Sequence, residues 1–149
     1  MKRSSILFCV LRRCLLAIVV AMIISSCSPP ESEFIPAFNK VTRDCHHADP
    51  RIAEKGYLDA IRICQEYQSR GGKLDYNYYL GVEFSKYAVF LLSESRLDES
   101  DLQMNKAVKH FMASRTAPEL TDKSKVMNFH EHMGWMKDGK RVRRMLPGK

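Results

Sequence analysis

Apolar residues recur with a helical period along most of this chain, and this pattern limits its possible folds more than any other feature. After Asp49-Pro50 they are spaced three and four positions apart, which places them on one face of a helix. Four such stretches follow in succession, and no alternating run is long enough to form a sheet. We therefore predict that residues 49–138 form an all-α domain, a small bundle of about four amphipathic helices.

Capping residues and glycines predict where these helices begin and end. Asp49 is a suitable N-cap for the first helix, and Gly71 can adopt the positive φ that ends it. The second helix is predicted to begin near Asp75. The other predicted boundaries are the acidic turn 94–101, with Asp98 or Ser100 as cap of the third helix, then Pro118 after that helix and Gly139 after the fourth.

Small and aromatic residues recur at particular spacings in the second and third predicted helices: Leu80, Gly81, Phe84, Ala107, Phe111, Ser114 and Pro118. This set resembles tetratricopeptide-type repeats, including the Sel1-like ones, and the resemblance implies paired helical hairpins. Gly81 costs about 1 kcal/mol inside a helix, and close approach of another helix is the usual compensation. Residues 93–106 lengthen the connection beyond the family pattern, so an unrelated helical bundle is the alternative.

The first 26 residues are organised like a secretory signal peptide, with basic residues, an apolar run at 14–24 and two serines. The run covers about 16 Å as a helix, which is too short for a hydrocarbon core of about 30 Å. Ile24-Ser25-Ser26-Cys27 resembles the lipobox of bacterial lipoproteins, which implies that Cys27 carries diacylglycerol and becomes the acylated N-terminus. Ser28 in place of aspartate implies the outer membrane. An uncleaved anchor and cleavage without lipidation are the alternatives.

The segment that follows the leader, residues 27–48, contains three prolines and has no helical period. We predict that it is a flexible tether between the lipid and the helical domain. Phe34, Ile35 and Phe38 are unusually apolar for a linker, so they are candidates to pack on the domain or to bind another molecule.

Two cysteines, Cys45 and Cys64, remain after the leader is removed and Cys27 is lipidated. In an exported protein such a pair predicts a disulfide, which would join the tether to the first helix. A bond that closes a loop of this length contributes about 3 kcal/mol. Two buried thiols are the alternative.

Charge and motif content disfavour nucleic-acid binding and catalysis. The formal net charge of +7 falls to +3 without the leader, which holds four basic and no acidic residues, and most of the remaining surplus lies near the C-terminus, in and just before the tail 139–149. His130 and His132 point about 200° apart on a helix, and His46-His47 lack further ligands. No nucleophile elbow, phosphate loop or Cys-x-x-Cys pair occurs. We therefore predict no enzyme, no cofactor and no metal site.

All six tyrosines fall between residues 57 and 87, on the first two predicted helices. Consecutive helical residues diverge by about 100°, so the doublet Tyr78-Tyr79 cannot point entirely into one core. Tyrosine is enriched at protein interfaces, and two neighbouring helices leave a groove that a partner helix or peptide can enter. The predicted partner contacts are Tyr57, Tyr67, Tyr76, Tyr78 and Tyr79. Ordinary core packing of these rings is the alternative.

The two resemblances together imply a lipoprotein on the periplasmic face of the outer membrane, lipid-anchored at Cys27, whose domain binds another protein. Small helical lipoproteins of this kind serve as accessories of secretion, pilus or conjugation machines, an analogy from architecture rather than from a site. An entry-exclusion, inhibitor or immunity-type lipoprotein is the alternative, and a metal-dependent enzyme is the least favoured.

Overall fold

The computed structural model describes residues 30–134, 136–137 and 140–141 of the chain. Its elements are, in chain order, α1 (Pro30–Thr42), a 3₁₀ turn (Asp44–His46), α2 (Pro50–Ser69), α3 (Tyr76–Ser93), α4 (Leu97–Met112), α5 (Lys123–His132), β1 (Met136–Lys137) and β2 (Lys140–Arg141). The predicted all-α bundle is confirmed, with one short antiparallel strand pair. No helix in the described part of the chain is long and apolar enough to cross a membrane. The predicted leader, Cys27 and residues 142–149 of the basic tail lie outside the described residues.

Helix α3 lies at the centre of the bundle. Helices α2 and α4 pack on it, β2 lies beside it, and α5 reaches it through His130. Its sequence, YNYYLGVEFSKYAVFLLS, is apolar on nearly every side, and such a helix is stable only when other elements surround it. Helices α2 and α4 each bury one face and expose the other. The core therefore forms around α3.

Gly81 allows α3 and α4 to approach closely. A Cβ at this position would lie 2.8 Å from Cδ1 of Phe111 on α4, closer than real carbon contacts allow. Phe111 is fully buried, and its ring also packs edge-on against Tyr78. The predicted compensation for a glycine inside this helix, a neighbouring helix at close range, is confirmed.

Gly56 on α2 has a still more restrictive environment, and we predict that Gly56→Ala destabilises the protein. Alanine favours the helix by about 1 kcal/mol, but its Cβ would lie 2.6 Å from the backbone nitrogen of Cys45. Backbone cannot rotate away as a side chain can, so we expect a net loss of about 1–3 kcal/mol in the free energy of unfolding. Urea denaturation measures this loss. Lys55→Ala is the control, because Lys55 is exposed and its replacement should stay within about 0.5 kcal/mol. An unchanged stability of Gly56→Ala would contradict the close approach.

Most helix boundaries agree with the predicted caps. The side chains of Asp49 and Asp75 each accept a hydrogen bond from a backbone N–H in the first turn of α2 and α3. Gly71 has a φ of 77° just after α2. Helix α5 is shorter than predicted, because it ends at His132 rather than near Gly139.

The start of α4 differs from the prediction. The helix begins at Leu97, inside the segment predicted as a turn, so neither Asp98 nor Ser100 is its N-cap. Ser100 has another role, since its hydroxyl donates to the backbone oxygen of Ala88 on α3 at 2.8 Å. This bond joins two helices where the sequence predicted a local cap.

Residues 30–42 form helix α1, where the sequence predicted a flexible tether. Pro30 is its first residue, a position at which the missing N–H costs nothing, whereas Pro36 lies inside and removes one helical hydrogen bond. The helix packs along α2 and the 3₁₀ turn, and Phe34 is completely buried. The tether prediction is therefore wrong for this segment, because tertiary contacts stabilise a helix that has no regular apolar period.

Cys45 and Cys64 are both buried, and no disulfide joins them. Cys45 belongs to the 3₁₀ turn, and its backbone nitrogen lies against Gly56 of α2. Cys64 lies eight residues beyond Gly56 on that helix. This spacing places Cys64 about 12 Å along the helix from Gly56, and a disulfide needs the Cα atoms of its two cysteines within about 7 Å of each other. The predicted disulfide is therefore not formed, and the alternative of two buried thiols describes this fold.

Candidate functional site

The five tyrosines predicted to contact a partner fall into two groups in the structure. Tyr57, Tyr67 and Tyr76 are only 3–7% exposed and belong to the core. Tyr78 and Tyr79 are half-buried and pack against that core. The first three are therefore wrong as surface contacts, because the helix faces that carry them point inward.

Three of these rings, Tyr67, Tyr76 and Tyr79, line a groove between α2 and α3, the aromatic groove, which α1 occupies. The ring centroid of Phe34 lies 5.5 Å from that of Tyr67, 5.2 Å from Tyr76 and 5.0 Å from Tyr79. Phe38 stacks on Phe34 at 5.2 Å and meets Tyr79 at 5.5 Å. Such aromatic pairs each contribute about 0.5–1.5 kcal/mol beyond area burial. The aromatic groove thus binds a helix, and that helix belongs to the chain itself.

Helix α1 starts at the end of the bundle where α2 ends and α3 begins. Glu31 accepts a hydrogen bond from the backbone N–H of Lys73, which holds the pKa of Glu31 below its usual value. Glu33 forms an ion pair with Arg70 at 3.6 Å. We call this end, formed by residues 30–33, 69–76 and 113–116, the proximal end of the bundle.

Asp75 brings the end of α4 to the proximal end. Its Oδ2 accepts hydrogen bonds from the backbone N–H groups of Arg115 and Thr116, at 2.7 and 2.8 Å, and from the Thr116 hydroxyl at 2.8 Å. Partial burial opposes ionisation of Asp75, but the bonds from Thr116 and Arg115 outweigh it and lower its pKa. The opposite end, where α3 ends and α4 begins (residues 92–98), is the distal end.

Within α3, a buried carboxylate pairs with a partly buried lysine. The side chain of Glu83 is 1% exposed, and its Oε1 lies 2.9 Å from Nζ of Lys86. Oε2 of Glu83 accepts no hydrogen bond from the described residues. This pair was not among the residues predicted from the sequence, although two opposite charges three positions apart in an otherwise apolar helix are a detectable signal.

A second buried polar contact joins α3 to α5. Nε2 of His130 lies 2.6 Å from Oγ of Ser85, and the Ser85 hydroxyl donates to the backbone oxygen of Val82 at 2.8 Å. Because a hydroxyl has one proton to donate, Nε2 carries the proton that His130 donates to Ser85. Burial, together with the nearby charge of Lys86, lowers the pKa of His130 to about 3. His130 is therefore a neutral side chain that holds α5 on the central helix.

These buried groups favour a structural role over a catalytic one. Burial and the charge of Glu83 raise the pKa of the Cys64 thiol. A thiolate rather than a thiol is the nucleophile, so a raised pKa makes Cys64 unreactive. The His130 ring contacts the Ser85 hydroxyl, but that hydroxyl is fully buried where no substrate can reach it.

The depressed pKa of His130 predicts that stability falls in mild acid. In the unfolded chain His130 binds a proton below its ordinary pKa of 6.5, whereas in the folded chain it does so only near pH 3. Its contribution to the free energy of unfolding is therefore fully present above pH 6.5 and declines as the pH falls below that value. Between pH 7 and pH 5 this residue alone should cost about 2 kcal/mol. Urea denaturation at both pH values measures the loss. In His130→Gln the loss of stability between pH 7 and pH 5 should be smaller by about that amount. An equal loss in the variant and the parent would mean that His130 does not cause it.

An open apolar groove of about 380 Å³ lies at the distal end, between α3, α4 and α5. Its lining residues are Val89, Leu92, Leu97, Asp98, Ser100, Asp101, Met104, Lys123 and Met127. Leu97 is 64% exposed and Leu92 is 37% exposed, so apolar surface is available there. At the rim, Asp101 pairs with Lys123, and Asp98 adds a further carboxylate. We call this surface the distal groove.

The histidines considered as metal ligands are dispersed. His46 and His47 are exposed, and Nδ1 of His47 accepts a hydrogen bond from the backbone N–H of Asp49 at 3.0 Å. His130 is buried, whereas His132 is exposed. Within the described ranges, no three His, Cys, Asp or Glu side chains meet in an arrangement suited to a metal ion.

Comparisons with known proteins add no family. No protein-family model matches the chain, and neither a curated protein nor a solved structure matches it.

Proposed function

We propose that this protein is a lipid-anchored bacterial lipoprotein on the periplasmic face of the outer membrane, whose helical domain binds another envelope protein. The basic leader and the sequence Ile24-Ser25-Ser26-Cys27 support the lipid anchor and the localisation in the cell envelope. The proposed role is that of an assembly accessory of a secretion, pilus or conjugation machine. That role is an analogy from architecture.

The distal groove is the observation that carries the binding proposal. It combines exposed leucines with three packed helices that hold them in place. Amphipathic helices bind such grooves by burying their apolar face. Asp101 at the rim is already paired with Lys123, so Asp98 is the carboxylate that favours a partner helix with Lys or Arg beside its apolar residues, because opposite charges orient the encounter. Half-buried Tyr78 and Tyr79 are the remaining candidates from the tyrosine set, and Tyr79 is also in contact with α1.

Crosslinking in cells followed by affinity purification of the full chain tests the role. Recovery of a large envelope assembly would support the accessory role. Recovery of a single toxin or hydrolase would instead support an inhibitor or immunity-type lipoprotein. Recovery of no specific protein would contradict both.

We predict that the double variant Leu92→Ala/Leu97→Ala weakens partner binding about tenfold or more, since each buried anchor of an interface contributes on the order of 1–2 kcal/mol. The control is Leu102→Ala/Met112→Ala, because these residues are 54% and 57% exposed but do not line the distal groove. Partner recovery and circular dichroism are the measurements. If both double variants bind normally and Tyr78→Ala does not, the binding surface lies around Tyr78 instead.

A further inference from the structure

Very little chain separates the proposed lipid from the folded domain. Helix α1 begins at Pro30, so only Ser28 and Pro29 lie between it and Cys27. A fully extended chain spans at most about 3.6 Å per residue, so the three residue steps from Pro30 back to Cys27 can reach at most about 11 Å. A tether of residues 27–48 would have given the domain far more freedom.

The start of α1 is also held firmly on the domain. Phe34, four residues into the helix, is fully buried among the rings of the aromatic groove. Glu31 and Glu33 add contacts to the connection between α2 and α3. The domain cannot move away from the lipid without removing Phe34 from its site.

We infer that the proximal end of the bundle lies against the lipid headgroups, and that the distal groove points away from the bilayer. This orientation rests on the proposed lipidation of Cys27. Helix α3 has 18 residues, which corresponds to about 27 Å between the two ends. The membrane therefore leaves the distal groove accessible to a partner in the periplasm.

The proximal end carries groups suited to a headgroup layer. Arg70, Lys73 and Arg115 are exposed there, and Arg115 donates a hydrogen bond to the backbone oxygen of Lys73 at 2.8 Å. Guanidinium and ammonium groups bind phosphate oxygens well. Glu31, Glu33 and Glu66 lie nearby, so the short connection to Cys27, rather than net charge, determines the orientation.

A matched pair of serines provides the test. Ser69 at the proximal end and Ser93 near the distal end are both exposed, and each hydroxyl bonds a backbone oxygen three residues earlier. A fluorophore is attached to Ser69→Cys or Ser93→Cys in the full-length lipidated protein, in vesicles that carry nitroxide headgroups. The parent protein is the control for unspecific labelling: its Cys45 and Cys64 are 2% and 0% exposed, so they should not react with the fluorophore.

We expect the headgroup nitroxide to remove most of the emission at position 69 and little at position 93. Equal quenching at both positions, or stronger quenching at position 93, overturns the orientation. Adding Phe34→Ala, which releases α1, should reduce quenching at position 69 toward that at position 93. Mass spectrometry of the same samples separates the two proposals: a Cys27 without lipid overturns the lipoprotein proposal and the orientation together, whereas lipidated protein with equal quenching overturns the orientation alone.

Discussion

Phe34→Ala is expected to lower the free energy of unfolding by about 3–5 kcal/mol, the usual cost of truncating a fully buried aromatic residue. Phe34 is 0% exposed, and four aromatic rings contact it. Because α1 has few other buried side chains, we expect it to detach while α2 to α4 remain folded. Hydrogen exchange should then show loss of protection in residues 30–42, and urea denaturation measures the energy.

Ile35→Ala is the matched control for this variant. Ile35 is the next residue of α1 and is 39% exposed, so its replacement should cost under about 1 kcal/mol. Equal effects of the two substitutions would mean that α1 is held by its backbone and its ends rather than by Phe34.

Lys86→Ala is expected to be similarly damaging, at about 3–5 kcal/mol, since it would leave Glu83 as a buried carboxylate without its cation. Only 1% of the Glu83 side chain and 21% of the Lys86 side chain reach water. Replacing both by leucine should recover most of the loss, because apolar residues of similar volume often replace a buried ion pair at little cost. Thermal and urea denaturation of the single and double variants measure both effects.

The pair Asp59–Arg62 is a suitable control for the buried one. It has the same spacing of three residues and the same distance of 2.9 Å, but its side chains are 28% and 68% exposed. Arg62→Ala should therefore change stability by under about 1 kcal/mol. If Lys86→Ala costs no more than Arg62→Ala, then Glu83 is not an isolated buried charge in the folded protein.

The sequence could predict those parts of the fold that depend on neighbouring residues, such as the ends of helices. Asp49, Asp75 and Gly71 mark helix ends through their own backbone and side-chain chemistry, so α2 and α3 lie close to their predicted positions. Gly81 predicted a close helix contact because a glycine inside a helix needs compensation, and Phe111 provides it.

The parts that sequence could not predict depend on tertiary contacts. Helix α1 contains Pro36 and has no regular apolar period, so only the packing of Phe34 on distant rings explains why it forms. Cysteine number alone favoured a disulfide, whereas in the structure the 3₁₀ turn packs Cys45 beside Gly56, and no disulfide joins it to Cys64.

The tyrosine prediction failed for a different reason. Tyr57, Tyr67 and Tyr76 already lie on the apolar stripes of their helices, so the same periodicity that predicted the fold favoured burial. Tyr78 diverges from that stripe and remains half-buried.

The contact of α1 with the aromatic groove also affects the order in which the chain folds. Phe34 meets Tyr76 and Tyr79, more than forty positions later, whereas α2 and α3 are joined by a short connection. Contacts between distant positions form more slowly, so we expect Phe34 to reach Tyr76 and Tyr79 only after α2 and α3 have paired. During that interval the aromatic groove is open, and α1 of a second copy fits it as well as the chain's own helix does. The two copies can then exchange their first helices into an intertwined dimer without any new kind of contact.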